Sequence, residues 1–195
     1  MAHRGRATAK AEQGNRGGGS LSDMPTLVLD PQPAWVEQLL EERRRSGADR
    51  RDEVWEGVLH VIPPPSVEHE RLAHGLHVLL DPHASALDLV VVGTVGIGTE
   101  DDYRVPDLAV LRPGYAAQWN RTAALIVEIV SPRDDTWQKL PFYSGHQVDE
   151  VMIVAPAERQ IHLLGLEPDG DYSPLERSRL LGVSSEELAA QLVWP

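Results

Sequence analysis

The feature that most constrains this chain is an apolar, β-branched run that contains a single acid. Residues 123–130 read Ala-Ala-Leu-Ile-Val-Glu-Ile-Val, and Glu128 is the one charged side chain among them. Apolar strands of this kind are typical of a sheet that is covered on both faces. A carboxylate that is buried there without a partner costs several kcal/mol. We therefore expect Glu128 to be neutralised, paired with a cation or bound to a metal ion.

A second acid, Asp107, poses the same problem in a shorter strand predicted at residues 104–111. Pro106 precedes it, and proline in a strand favours an edge, a strand start or a bulge, which can re-aim the next side chain. If Asp107 and Glu128 lie side by side on neighbouring strands, their oxygens suit a hard cation such as Mg²⁺. The alternative is that each acid pairs with an arginine or a lysine. These two residues alone leave both alternatives open.

The patterns along the chain predict an α/β (α+β) fold, with a central mixed β-sheet flanked by helices, an N-terminal helix and a β-hairpin. Glu56-Gly57 forms the predicted hairpin turn. Pro141 must kink or split one helix. The predicted helices cover about residues 33–46, 66–80, 134–144 and 185–192, and the predicted strands cover 52–55, 58–62, 89–97, 104–111, 123–130, 150–155 and 160–166.

Composition divides the chain into two parts. Residues 1–24 are rich in glycine, arginine and alanine and lack periodicity, which predicts a disordered tail; a contact with nucleic acid is the functional alternative. Residues 25–195 suffice for a single domain.

The net charge of −12 argues against a protein that simply coats DNA, but not against an enzyme that acts on nucleic acid. Because cysteine and membrane-spanning apolar runs are absent, we expect a cytoplasmic protein without a membrane partner.

Two further clusters each allow two interpretations. A basic cluster near the end of the first helix is either a solvated helix end or a patch that contacts phosphate; it comprises Arg43, Arg44, Arg45, Arg50 and Arg51. His74 and His77 share one face of the second helix at a spacing of i, i+3. We interpret them as surface histidines, and the alternative is a zinc site.

Several short motifs follow one another in a defined order. They are Glu53-Val54-Trp55-Glu56-Gly57, Pro65-Ser66-Val67-Glu68-His69, Val105-Pro106-Asp107, residues 126–132 around Glu128, and then Lys139 and Tyr143. This order resembles the PD-(D/E)XK nuclease superfamily and, more closely, the Uma family (type two) of restriction endonucleases. The similarity covers roughly residues 50–165.

The resemblance implies a restriction-endonuclease-like fold and a metal-dependent phosphodiesterase. Asp107 and Glu128 would bind Mg²⁺ or Mn²⁺, and Glu53 would be a further ligand or would position water. The superfamily's lysine stands two residues after the glutamate, where this chain has Val130. Lys139 on the following helix would take that part, orienting water or stabilising the charge of the transition state.

The resemblance also implies roles for His69 and Tyr143, either in contacting the substrate or in supporting the metal ligands. For His69 we expect a hydrogen bond to a phosphate or to Glu53. Departures from the family pattern concern packing more than chemistry: Gln147 replaces glycine, Val151-Met152 replaces an aromatic pair and Ala155 replaces aspartate. Pro141 bears more on function, because it could misplace Lys139.

Two functions of different classes stay open at this point. The first is an Mg²⁺-dependent endonuclease, with DNA favoured over RNA as the substrate. The second is a degenerate nuclease fold that acts as a binding or regulatory module. A zinc hydrolase that uses His74 and His77 is a distant third. The resemblance also makes a homodimer plausible.

Overall fold

The computed structural model describes residues 34–116, 118–131 and 135–195. The predicted tail, residues 1–24, lies outside this part of the chain. The helices are α1 (Ala34–Ser46), α2 (Val67–Ser85), α3 (Leu140–Gly145) and α4 (Ser185–Gln191), with 3₁₀ turns at Ala48–Arg51 and Thr136–Lys139. The strands are β1 (Glu53–Trp55), β2 (Val58–His60), β3 (Val90–Val92), β4 (Gly96–Thr99), β5 (Asp102–Arg104), β6 (Leu108–Leu111), β7 (Trp119–Asn120), β8 (Leu125–Ile129), β9 (Glu150–Ala155), β10 (Gln160–Leu166) and β11 (Tyr172–Leu175). None of the helices described is both long and apolar enough to cross a membrane.

The described strands form two sheets. The larger sheet has six strands in the order β11-β10-β9-β8-β6-β3, and it is mixed because β8 and β9 run parallel while their neighbours pair antiparallel. This central mixed sheet, the N-terminal helix and the β1–β2 hairpin confirm the predicted fold class. A second sheet of five strands, β2-β1-β5-β4-β7, was not predicted.

Strand β8 lies in the middle of the larger sheet and is covered on both faces, as its apolar run predicts. Leu125 and Val127 point into the core that contains Leu76 of α2. Ile126 belongs to the core on the opposite face, which contains Tyr143 of α3. Side chains alternate along a strand. Glu128 therefore points to the α3 face, where the second sheet also lies.

Two of the predicted strands are each divided between the two sheets. The predicted strand 89–97 breaks into β3 and β4 around Thr94, whose φ of +54° is incompatible with an extended strand. The predicted strand 104–111 breaks into β5 and β6 at Val105-Pro106-Asp107. Pro106 has no N–H for a ladder, and the N–H of Val105 donates to the Glu53 carboxylate instead. Asp107 therefore stands at the junction of the two sheets, directly before β6.

Helix boundaries follow the predictions closely, except at the end of α2. Pro141 splits the predicted helix into a 3₁₀ turn and α3, and it lies in the first turn of α3, where a missing N–H costs little. Ser66 caps α2, accepting a hydrogen bond from the N–H of His69. The predicted end of α2 near residue 80 was wrong, because the helix continues through Pro82 and buries Ala84 in the core.

Candidate active site

The ammonium group of Lys139 lies between two buried carboxylates. Its Nζ donates to Glu53 Oε1 at 2.9 Å and to Glu128 Oε1 at 3.0 Å. The lysine side chain is only 13% exposed, and the carboxylates are 3% and 6% exposed. Pro141 does not misplace this lysine, because it begins α3 just after the 3₁₀ turn that ends with Lys139. Three predicted site residues from three separate elements thus meet at one point.

Glu53 is held at the start of β1 by two further donors. The backbone N–H of Val105 donates to its Oε1 at 2.8 Å, and the indole Nε1 of Trp55 donates to its Oε2 at 2.7 Å. Arg104 in turn packs between the rings of Trp55 and Phe142, at 4.4 and 4.0 Å from their centroids. The orientation of this carboxylate is therefore fixed before anything binds.

Glu128 is supported from behind by Tyr143, whose hydroxyl donates to Oε1. Tyr143 is fully buried, and this hydrogen bond directs its hydroxyl toward the carboxylate. The pKa of Glu128 is raised to about 7, mainly by burial; Lys139 opposes this rise, and the charges of Asp107 and Glu53 add to it. Burial alone would lower the pKa of Lys139, but Glu128 and Glu53 outweigh burial and raise that pKa. Lys139 is therefore the charged member of the pair throughout the neutral range.

Asp107 lies beside Glu128 on the neighbouring chain segment. Its Oδ2 accepts a hydrogen bond at 2.8 Å from the backbone N–H of Ile129, the residue that follows Glu128. The next residue along, Leu108, pairs with Val127 in the β6–β8 ladder. Its Oδ1 lies 2.7 Å from Nε2 of His69. The sequence therefore predicts the proximity of the two acids correctly; their function as ligands stays a prediction.

His69, in the first turn of α2, contacts Asp107. The alternative contact with Glu53 that we expected from the sequence is wrong, because the polar neighbours of the ring are Asp107 Oδ1 and, at 3.4 Å from Nδ1, the Ser131 hydroxyl. Burial lowers the pKa of His69, but the hydrogen bond and the charge of Asp107 outweigh it and raise that pKa. A protonated His69 would stabilise the ionised form of Asp107.

These side chains line a cleft with a volume of about 340 Å³. Proline residues 63–65 and the start of α2 close one side, and β8 with the Lys139 turn closes the other. Among the described residues that line the cleft, four are carboxylates and two are permanent cations: Glu53, Asp107, Glu128, Asp135, Arg51 and Lys139. With all four ionised, the acids exceed the permanent cations by two charges, which suits a divalent cation.

Sequence reasoning missed three residues of this cleft. Trp55 stands within the hairpin motif, but nothing in the motif indicates that its indole holds Glu53. Arg51 was grouped with the basic cluster, yet its guanidinium Nη1 lies 3.4 Å from Asp107 Oδ1 and its Nη2 lies 2.8 Å from Glu70. Asp135 carries no sequence signal of its own and lines the cleft next to Lys139.

The basic cluster at the end of α1 is largely engaged with acids of this chain. Arg43 makes two hydrogen bonds to the buried Asp52, and Arg44 pairs with Glu41 on the surface of the helix. Asp52 also accepts from the backbone N–H of Ile62, so this pair anchors the segment that leads into the proline side of the cleft. These contacts favour the structural interpretation of Arg43 and Arg44 over a free phosphate-binding patch.

A family described as Uma2, "Putative restriction endonuclease", matches residues 36–194. The chain belongs to the Uma2 family. A crystal structure titled as a "putative nuclease belonging to DUF820" from Anabaena variabilis ATCC 29413 superimposes with a TM-score of 0.61 at 14% identity, covering 73% of this chain and 91% of that one. That similarity establishes the fold. A search of curated proteins found no significant relative.

The donor groups of the Uma2 cleft fit a hard divalent cation in chemical type. Carboxylate oxygens are the ligands that Mg²⁺ and Mn²⁺ prefer, and the cleft holds more of them than its permanent cations neutralise. Within residues 34–116, 118–131 and 135–195, no three His, Asp or Glu side chains converge closely enough to hold an ion. Lys139 takes the position between Glu53 and Glu128 and supplies their counter-charge.

The alternative zinc site gains no support from this arrangement. His74 is exposed and His77 is half-buried on α2, and neither lines the cleft. The described part of the chain offers them no third ligand, since it contains no group of three such side chains. They are best interpreted as surface histidines, as the sequence indicates.

Proposed function

We propose that this Uma2 chain is a divalent-metal-dependent endonuclease that hydrolyses phosphodiester bonds in nucleic acid, with DNA preferred over RNA. The observation that carries the proposal is the contact of Lys139 Nζ with Glu53 and Glu128 inside the cleft that also contains Asp107. A lysine beside clustered carboxylates combines a site for a cation with a donor that can stabilise developing negative charge. Membership of the nuclease family supports the same activity.

The proposed division of labour follows from the contacts of each side chain. Glu53, Asp107 and Glu128 would hold the metal, and Mg²⁺ or Mn²⁺ would supply polarisation of a phosphate and activation of water. Lys139, which contacts both glutamates in the metal-free chain, would donate to a phosphate oxygen or orient the attacking water. His69 fixes Asp107, so that its oxygens are oriented in advance.

A cleavage assay with matched variants tests the proposal. The protein would be incubated with supercoiled plasmid, single-stranded DNA and RNA in the presence of Mg²⁺ or Mn²⁺, beside Asp107→Ala and Glu128→Ala. We expect cutting that depends on the metal, disappears with a chelator and is lost in both variants. Glu150→Gln, a buried acid outside the cleft, serves as the control and should cut normally. Failure to cut any of the three substrates, with no metal bound in calorimetry, would refute the proposal.

A second candidate function is a binding or regulatory module that keeps the nuclease fold without catalysis. The specific observation in its favour is that Lys139 already neutralises Glu53 and Glu128, so that these buried acids have a partner without a metal. Such a module would bind nucleic acid or a protein but would leave the nucleic acid intact with either cation. Binding without cleavage, unchanged by Glu128→Ala, would favour this alternative.

The predicted homodimer can be tested by light scattering.

Replacing His69 with alanine is expected to lower cleavage by about 10- to 100-fold, the usual effect of removing a residue that orients a metal ligand. The reason is that Asp107 Oδ1 loses its 2.7 Å contact with the imidazole. Initial rates on plasmid at saturating Mg²⁺ measure the effect. His77→Ala on the same helix, outside the cleft, provides the control. If His69→Ala cuts as fast as the wild type, His69 has no part in positioning Asp107.

A further inference from the structure

Asp135 is a buried acid in the cleft, and its carboxylate has no structural role that the contacts of the described residues explain. It is 7% exposed and lines the cleft immediately before the 3₁₀ turn that carries Lys139. Its backbone carbonyl accepts from the N–H of Gln138 at 2.8 Å, which fixes the turn. Its side chain, however, makes no capping hydrogen bond to that turn. A role as a helix cap therefore does not explain the carboxylate.

One oxygen of this carboxylate has no hydrogen-bond partner. Asp135 Oδ1 is fully buried and unpaired among the described residues, whereas the other buried acids there, Asp52, Glu53, Glu128 and Glu150, all accept hydrogen bonds. An unsatisfied buried polar group destabilises the folded state, and a charged one does so more strongly. A group that destabilises the fold in this way is characteristic of a site that is completed by a ligand.

The surroundings of Asp135 are those of the proposed metal site. Asp135 lines the same cleft as Glu53 and Lys139, and it directly precedes the turn that ends with Lys139. The two acids act on His60 in the same direction, and Lys139 opposes them. A cation would satisfy the unpaired carboxylate oxygen, and the described lining residues of the cleft supply no permanent cation besides Arg51 and Lys139.

We propose that Asp135 is a further carboxylate of the proposed metal site and would supply Oδ1 to a divalent cation that enters the cleft, where Lys139 lies between Glu53 and Glu128 in the metal-free chain. This inference rests on the proposed function, since it requires that the cleft binds such a cation. It assigns to Asp135 a part that the family resemblance did not imply. The cation satisfies the unpaired oxygen, so the cost of burying it is recovered when the metal binds.

Two readouts that do not involve cleavage test the inference. The first is the affinity of the purified chain for Mn²⁺, measured by calorimetry without nucleic acid. The second is the unfolding midpoint of the metal-free protein in denaturant. For Asp135→Asn we expect the Mn²⁺ affinity to fall by about tenfold or more, while the metal-free midpoint stays unchanged or rises. Asp135→Glu retains a carboxylate and should bind Mn²⁺ more tightly than Asp135→Asn, which also covers the case in which the asparagine variant does not fold.

Glu150→Gln is the matched control, because Glu150 is also buried but has partners for both carboxylate oxygens and lies outside the cleft. It should show the opposite pattern, with a lower metal-free midpoint and an unchanged Mn²⁺ affinity. If wild type and Asp135→Asn bind Mn²⁺ equally while Glu128→Ala does not bind it, the inference on Asp135 fails and the proposed metal site stands. If the wild type binds no Mn²⁺, both fail. A lower metal-free midpoint for Asp135→Asn would show a structural role and would also overturn the inference.

Discussion

Replacing Lys139 with methionine is expected to reduce cleavage by about 100- to 1000-fold, the range seen when one preorganised donor to a transition-state charge is removed. Methionine keeps much of the length of the side chain but cannot donate from the position of Nζ, which now contacts Glu53 and Glu128. Rates at saturating Mg²⁺ measure the loss. The binding of Mn²⁺ should be retained or tightened, because the competing ammonium is gone.

The same substitution should also destabilise the metal-free protein. Removing one partner of a buried ion pair leaves an uncompensated charge and costs about 3–5 kcal/mol; protonation of Glu128, whose pKa already lies near 7, would limit the cost. Mn²⁺ should recover part of this loss by mass action, and more so than in the wild type. Denaturant unfolding with and without Mn²⁺ measures both effects.

Lys139→Arg is the control for charge, since it keeps a cation between the carboxylates and should preserve most of the stability. Cleavage by Lys139→Met at the wild-type rate would exclude a catalytic part for this residue. A metal-free midpoint equal to that of the wild type would show that the contacts with Glu53 and Glu128 contribute little to folding.

The local sequence pattern was enough to predict the helices, several of the strands and the presence of a buried acid in the site. The alternation along β8 places Ile126 and Glu128 on one face and Leu125 and Val127 on the other, so a buried acid follows directly from the sequence. The apolar spacing of α2 and the cap at Ser66 follow from the same kind of reasoning. Such features depend on residues within a few positions of one another, which a single sequence displays.

The connections between the sheets depend on distant residues and could not be predicted. Residues 104–111 look like one strand, but the N–H of Val105 finds its acceptor on Glu53, 52 positions earlier. That single hydrogen bond directs the chain from the smaller sheet to the larger one and places Asp107 at the junction. Asp135 was missed for a related reason, because its burial in the cleft and its unpaired oxygen depend on the folded arrangement of the described residues.

Glu150 shows that a buried acid in an apolar strand does not by itself indicate a functional site. It begins β9, and the exposed fraction of the whole residue is 2%, compared with 4% for the whole residue Glu128. Its Oε2 accepts from the Ser178 hydroxyl and its Oε1 accepts from the backbone N–H of Leu180. The hydroxyl of Ser178 in turn accepts from the N–H of Leu181, so this carboxylate holds a loop against the core. From sequence alone the two glutamates pose the same problem, and only their partners distinguish them.

Glu150→Ala is therefore expected to lower the free energy of unfolding by about 3 kcal/mol, because it leaves two buried donors without an acceptor. Denaturant unfolding of the metal-free protein measures the loss, and Mn²⁺ titration of the folded variant should give the affinity of the wild type. Ser178→Ala removes one of the two donors together with the acceptor for Leu181, and should cost less than Glu150→Ala. A Glu150→Ala variant with wild-type stability would show that this network does not hold the loop. Weaker Mn²⁺ binding in the folded variant would instead couple β9 to the cleft, through the pairing of Glu128 with Ile153.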